Sequence, residues 1–279
     1  MMFICLQACL IAAPASENGS LTQQNQDKMA PIEIPPYVEK QQRQFSFYPG
    51  GKLQISTGVP GNVKIIGWEK SSVQLEVERI IYYIPEDQAK QIAAQYPLHL
   101  TWTQTTAVIR TSGPVEAAAK METNLALYVP KSKTDIEAKM LQGDFEIENV
   151  NGWIEATLME GNIEAVSMSG YFSATTRRGD ILAEMAGNHW IGHDFSAITQ
   201  NGSIHLELPT DYSASLSLET RAGEIIVDYP DQVVDGQTIP LQVVSKKKTV
   251  KSLTAPIGGG GAPLKMLTHL GNIELVAKR

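Results

Sequence analysis

Three groups of residues have the types and spacing to do chemistry. His189, His193 and Asp194 lie within six residues of one another, and imidazole with carboxylate suits zinc. A separation of four residues favours one face of a helix, yet the flanking sequence reads as loop and strand, so the trio is read as a surface loop and no metal is assigned. The second group is acidic: Asp144, Glu146, Glu148, Glu164, Asp180 and Glu184. Asp144, Asn162 and Asp180 recur every eighteen residues, and a stacked column of such groups could bridge calcium. The Gly-Gly-x-Gly-x-Asp repeat of calcium-binding rolls is absent, and Asp and Asn also favour corners because their side chains bond nearby backbone. The third group is Trp153 and Tyr171, also eighteen apart, each followed two residues later by a polar residue, Glu155 and Ser173. Exposed aromatics in a row stack on sugar rings or anchor a protein partner. These four are the candidate binding residues. No catalytic residue and no cofactor is assigned, since the chain shows neither a nucleophile elbow nor a phosphate-cradling loop followed by Lys-Ser/Thr.

Equivalent spacing requires equivalent elements. Glycine returns every nine residues at Gly143, Gly152, Gly161, Gly170 and Gly179. The positions two and four after each glycine are apolar: Phe145 and Ile147, Ile154 and Ala156, Ile163 and Ala165, Phe172 and Ala174, Ile181 and Ala183. Alternation of period two makes each unit a strand with one buried face. The units alternate in kind, with Asp or Asn after one glycine and Trp or Tyr after the next, so the full repeat is eighteen residues and two strands. "HDFSAITQNGSI" then repeats "GYFSATTRRGDI" after a five-residue insertion. The pattern predicts an all-β, two-sided parallel β-solenoid with about eighteen residues per coil. An antiparallel meander is the competing architecture, because hairpins also space strands by roughly 8–12 residues.

Upstream, Lys52–Thr57 alternates as a strand, and Val73, Leu75 and Val77 mark the buried face of another. "PEDQAKQIAAQYP" carries helix punctuation at both ends and predicts one short helix, with Ala89, Ile92 and Ala93 against the sheet. Residues 1–15 have the shape of a secretory signal peptide, with lipidation at Cys9 as the rival reading. Both cysteines, Cys5 and Cys9, fall inside it. Residues 16–42 read as a flexible polar leader and 43–279 as a single elongated domain. With 279 residues and a net charge of −7, the chain has room for a sizeable core and no basic face for nucleic acid. No membrane span is expected in the mature chain.

"FSFYPGGKLQIST", "GNVKIIGWEKSSVQLEVER", the glycine units, "NGSIHLELP" and "HLGNIELVAKR" together resemble the bacterial putative-adhesin family of β-strand-repeat proteins, a domain of unknown function. The resemblance implies an exported or membrane-associated, non-catalytic β-solenoid, with no catalytic residues to transfer. The resulting expectation is a non-enzymatic protein of the periplasm or cell surface that binds an envelope protein or glycan or serves as a scaffold. Two other classes stay open: an enzyme acting on polysaccharide through the carboxylates, and an accessory domain of an envelope-stress sensing system.

Overall fold

The computed structural model describes residues 35–113, 120–234, 237–245 and 249–278. The signal-peptide segment with Cys5 and Cys9, and most of the leader, lie outside the described residues. All elements below belong to the compact unit Ile34–Arg279.

The fold is all-β with one helix. In chain order the first strands are β1 (Tyr37–Ser46), β2 (Lys52–Thr57), β3 (Val63–Trp68) and β4 (Ser72–Ile81). Helix α1 (Glu86–Gln95) follows, then β5 (Leu98–Trp102), β6 (Thr106–Thr111), β7 (Met121–Pro130) and β8 (Asp135–Gln142). The repeat region supplies β9 (Phe145–Glu148), β10 (Asn151–Glu160), β11 (Ile163–Val166), β12 (Ser169–Arg178), β13 (Ile181–Glu184), β14 (Gly192–Asn201) and β15 (Ile204–Leu208). Next come β16 (Ala214–Thr220), β17 (Ile225–Asp228), the small hairpin β18 (Gln232–Val234) and β19 (Gln237–Ile239), and β20 (Val244–Ser245). The chain ends with β21 (Lys251–Ile257), β22 (Pro263–Leu270) and β23 (Ile273–Ala277).

Two large sheets result. One runs β1-β4-β7-β3-β9-β11-β13-β15-β23-β17, the other β20-β21-β16-β22-β14-β12-β10-β8-β2-β6-β5. In the repeat region every pairing is parallel: β8, β10, β12 and β14 are neighbours in one sheet, and β9, β11, β13 and β15 in the other. All ten alternating positions named from the glycine units are buried, at 1% exposure or less. The register matches the repeat, with Ile154 opposite Phe172 and Ile163 opposite Ile181. The five-residue insertion leaves it intact: Phe172 faces Phe195, and the extra length is absorbed by an irregularity at Gly170/Tyr171.

The sheets are mixed, not parallel throughout. β4 is antiparallel to both β1 and β7, β5 is antiparallel to β6, and β21 is antiparallel to β16 and β20. For β5 and β6 the cause is connection length. β5 and β6 are joined by three residues, which permit a hairpin but not a crossover through the second sheet. The last two strands also break chain order, since β22 lies between β14 and β16, and β23 between β15 and β17. Strand β1 begins at Tyr37, inside the stretch read as leader. It is a polar edge strand held by backbone pairing to β4, so it carries no apolar alternation to betray it.

Two columns keep the corners in time. At Gly161 (φ +140°) a Cβ would stand 1.9 Å from the Gly143 carbonyl oxygen one rung below, so no larger residue fits. Beside the glycines, Asp144 Oδ1 accepts from the Asn162 amide (2.8 Å), Asn162 Oδ1 from the Asp180 amide (2.8 Å), and Asp180 Oδ1 from the Ser203 amide (2.7 Å). The column that could have bridged calcium is therefore a side-chain-to-backbone ladder. Helix α1 buries Ala89 and Ala93, with Ile92 half-buried, beside Val59, Ile81 and Met121. Buried Arg79 ties it down, donating to the Tyr96 carbonyl (2.8 Å) and pairing with Glu39 (2.7 Å).

Candidate functional site

The register of β10 against β12 places Trp153 beside Tyr171 and Glu155 beside Ser173. Because Ile154 and Ala156 point into the core, these four point outward, on the exposed face of the eleven-stranded sheet. Trp153 is 49% exposed. The two rings stack on each other at 3.9 Å between centroids and 18° between planes. They stand like books on a shelf, and each has one face covered by the other.

Trp153 is held by one hydrogen bond at its indole and one at its backbone. Its Nε1 donates to Glu155 Oε1 (2.8 Å), and the Trp153 backbone amide donates to Asp135 Oδ1 (2.9 Å). Asp135 comes from β8, on the side of β10 away from Tyr171. There a small pocket of about 110 Å³ is lined by Lys52, Asp135, Ile136, Glu137, Trp153 and Glu155. Glu137 accepts from Lys52 (2.9 Å), Lys139 (2.7 Å) and Gln54 (3.0 Å). Hydrogen bonds from Lys139, then Lys52, then Gln54 hold its carboxyl down at about 2. On the Tyr171 side, Asp194 follows in register and pairs with Lys265 (3.0 Å).

The other sequence candidates are not gathered into a site. Glu146 and Glu184 pair with Lys64 and Lys278 on the outer face of the ten-stranded sheet. Nδ1 of His189 contacts the Asn188 side chain, while His193 is exposed. Among the described residues no group of three or more His, Cys, Asp or Glu side chains is placed to hold a metal ion. Trp190 is core, 4% exposed, and donates to the Gly170 carbonyl (3.1 Å).

Sequence reasoning did not bring Lys52, Asp135 or Glu137 to the aromatic pair. Asp135 stands eighteen residues before Trp153, so the repeat could have been extended one unit backwards to find it. Lys52 is joined only through tertiary pairing of β2 with β8. A second outward indole was also unplaced. Trp68 lies 5.6 Å from the Tyr128 ring, donates to the Ser72 carbonyl (2.8 Å) and carries Lys70 Nζ 4.5 Å over its ring. Larger hollows lie elsewhere, one of about 500 Å³ beside Trp68 and one of about 700 Å³ around Asn124 and Lys64, the latter without an aromatic lining residue.

No family model matches this sequence, and no curated protein does. Solved structures with a similar chain course include a putative cell adhesion protein from Clostridium sporogenes, at 11% identity and TM-score 0.42 over 86% of this chain and 100% of that one. A putative adhesin from Bacteroides fragilis matches at 13% identity and TM-score 0.27, over 87% and 100% of the two chains. A putative lipid binding protein from Parabacteroides distasonis matches at 9% identity and TM-score 0.21, over 85% and 96%. Among the described residues no helix is long and apolar enough to cross a membrane.

Proposed function

We propose that this chain is a non-enzymatic, exported binding module of a bacterial cell envelope, adhesin-like in role, whose contact residues are Trp153, Tyr171, Glu155 and Ser173. Its frame is a two-sided parallel β-solenoid in the repeat region, extended at both ends by antiparallel strands. The observation that carries the reading is the stacked pair itself. Trp153 stands half in water with Tyr171 partly buried against it, and the indole is fixed by that stacking and by its bond to Glu155, so little side-chain entropy is left to lose on binding. The partner is a protein rather than a glycan. Neither ring lies flat on the sheet to receive a sugar, and about 110 Å³ beside the indole is well under the roughly 300 Å³ at which small-molecule pockets begin.

The test is capture of envelope proteins and of a glycan panel by the full chain and by the Trp153→Ala/Tyr171→Ala variant. Capture of a protein by the wild type alone supports the reading. Equal capture by both chains sinks it, and capture of a glycan alone moves the partner to the other class.

A further inference from the structure

Of the three indoles that reach solvent, Trp102 rests on Phe45, while Trp68 and Trp153 are built alike and finished differently. Each donates its Nε1 hydrogen, and each has a tyrosine against it. Two residues after Trp68 stands Lys70, with Nζ 4.5 Å over the ring. Two residues after Trp153 stands Glu155. Among the described residues, Lys70 over Trp68 is the one cation seated on an aromatic face. The face of Trp153 turned from Tyr171 borders the small pocket, which is lined by Asp135, Glu137 and Glu155, and among the described residues no cation is seated on that ring. Lys52 also lines the pocket, but it is drawn to Glu137 (2.9 Å). Glu155 spends one oxygen on the indole N–H and Asp135 one on the Trp153 backbone amide, and their second oxygens accept nothing from the described residues.

Building on the binding reading above, we infer that the free face of Trp153 is a slot for a cationic side chain, a lysine or arginine presented by the partner protein. An aromatic face attracts a cation through its quadrupole, and flanking carboxylates add charge-assisted hydrogen bonds. The pocket's size suits an ammonium or guanidinium head.

The chain has four tryptophans, so its indole N–H signals in a nitrogen–proton correlation spectrum are four, and Trp153→Phe assigns the one of interest. The probes are N-acetyl-arginine methylamide, N-acetyl-lysine methylamide and the neutral N-acetyl-citrulline methylamide, added to the full chain. The cationic probes are expected to move the Trp153 signal saturably, and citrulline to bind about tenfold more weakly or not at all. An Asp135→Asn/Glu155→Gln variant is expected to weaken arginine binding about tenfold at an unchanged melting temperature. The amides keep the oxygens that accept from the indole and the backbone, so only charge is lost. Equal response to citrulline, indifference to the amide variant, or no response to either cationic probe would overturn the inference. If envelope capture needs Trp153 and Tyr171 while arginine leaves the signal still, the binding reading survives and the cation slot does not. If capture ignores both rings, the binding reading itself has failed.

Discussion

Trp68 and Trp153 project from opposite sheets, on β3 and β10, at positions where strand alternation sends a side chain outward. Trp68 is half-buried, bonded to the Ser72 carbonyl, flanked by Tyr128 and covered by Lys70. Trp153 is also bonded at its Nε1 but is less covered, and Asp135 and Glu155 line the pocket beside it where the first ring has a lysine over its face. An outward tryptophan is therefore not in itself a sign of binding. What separates the two is whether the chain supplies the ring's complement or leaves it to another molecule.

The unfolding free energy should rank the tryptophans by how completely each is absorbed. Trp190→Ala sets the upper bound, because it empties a buried site against Phe195 and is expected to cost about 3–5 kcal/mol. Trp68→Ala loses a ring contact and a hydrogen bond, and is expected to cost about 2 kcal/mol. Trp153→Ala should stay within about 1 kcal/mol, since the ring is half in water and packs mainly on Tyr171. Urea unfolding of the three variants gives the order, and a Trp153→Ala loss equal to that of Trp190→Ala would make the pair a structural element.

The comparison can also be broken directly. Glu155→Lys copies the Trp68–Lys70 spacing onto β10. A lysine there is expected to fill the free face of Trp153, leave the melting temperature within a few degrees and abolish arginine binding. In the reverse direction, Lys70→Glu should give the Trp68 indole signal a response to arginine that the wild type lacks. No response there would show that the carboxylate beside the ring is not sufficient and that Asp135 is required as well.

Much of this was legible in the sequence, for a physical reason. A buried strand face admits no slip of one residue, so Phe145, Ile154, Ile163, Phe172 and Ile181 had to keep their period, and the pairing of Trp153 with Tyr171 followed from it. The Gly161 column is visible for the same reason: backbone approaches backbone there, and any side chain collides. What the pattern did not carry is pairing order where local period is silent. Nothing in β22 or β23 says that they insert between β14 and β16 and between β15 and β17, since their alternation would serve any neighbouring position. Polar β1 is held by backbone bonds that leave no mark on side-chain type. The lining of the slot fell between these cases, with Asp135 and Glu137 one repeat before Trp153 and Glu155, and Lys52 joined only through the pairing of β2 with β8.

The smallest expected effect concerns the charges behind the slot. Glu137 is held at about 2 by Lys139, Lys52 and Gln54, below the ordinary 4.5 of a glutamate. A carboxylate whose folded value is depressed stabilises the fold at pH values above its unfolded value, and that contribution is lost as pH falls from about 4.5 toward 2. Glu137→Gln should therefore lower the melting temperature slightly at pH 7 and flatten its fall between pH 4.5 and pH 2. The same variant frees Lys52 and Lys139 to compete for Asp135 and Glu155, so arginine binding should weaken modestly even though Glu137 itself is already paired. A melting curve as steep in acid as the wild type's would show that Glu137 is not held by these partners in solution. Arginine binding that instead stayed unchanged would show that Lys52 does not enter the slot, and that the pocket's charge is set by Asp135 and Glu155 alone.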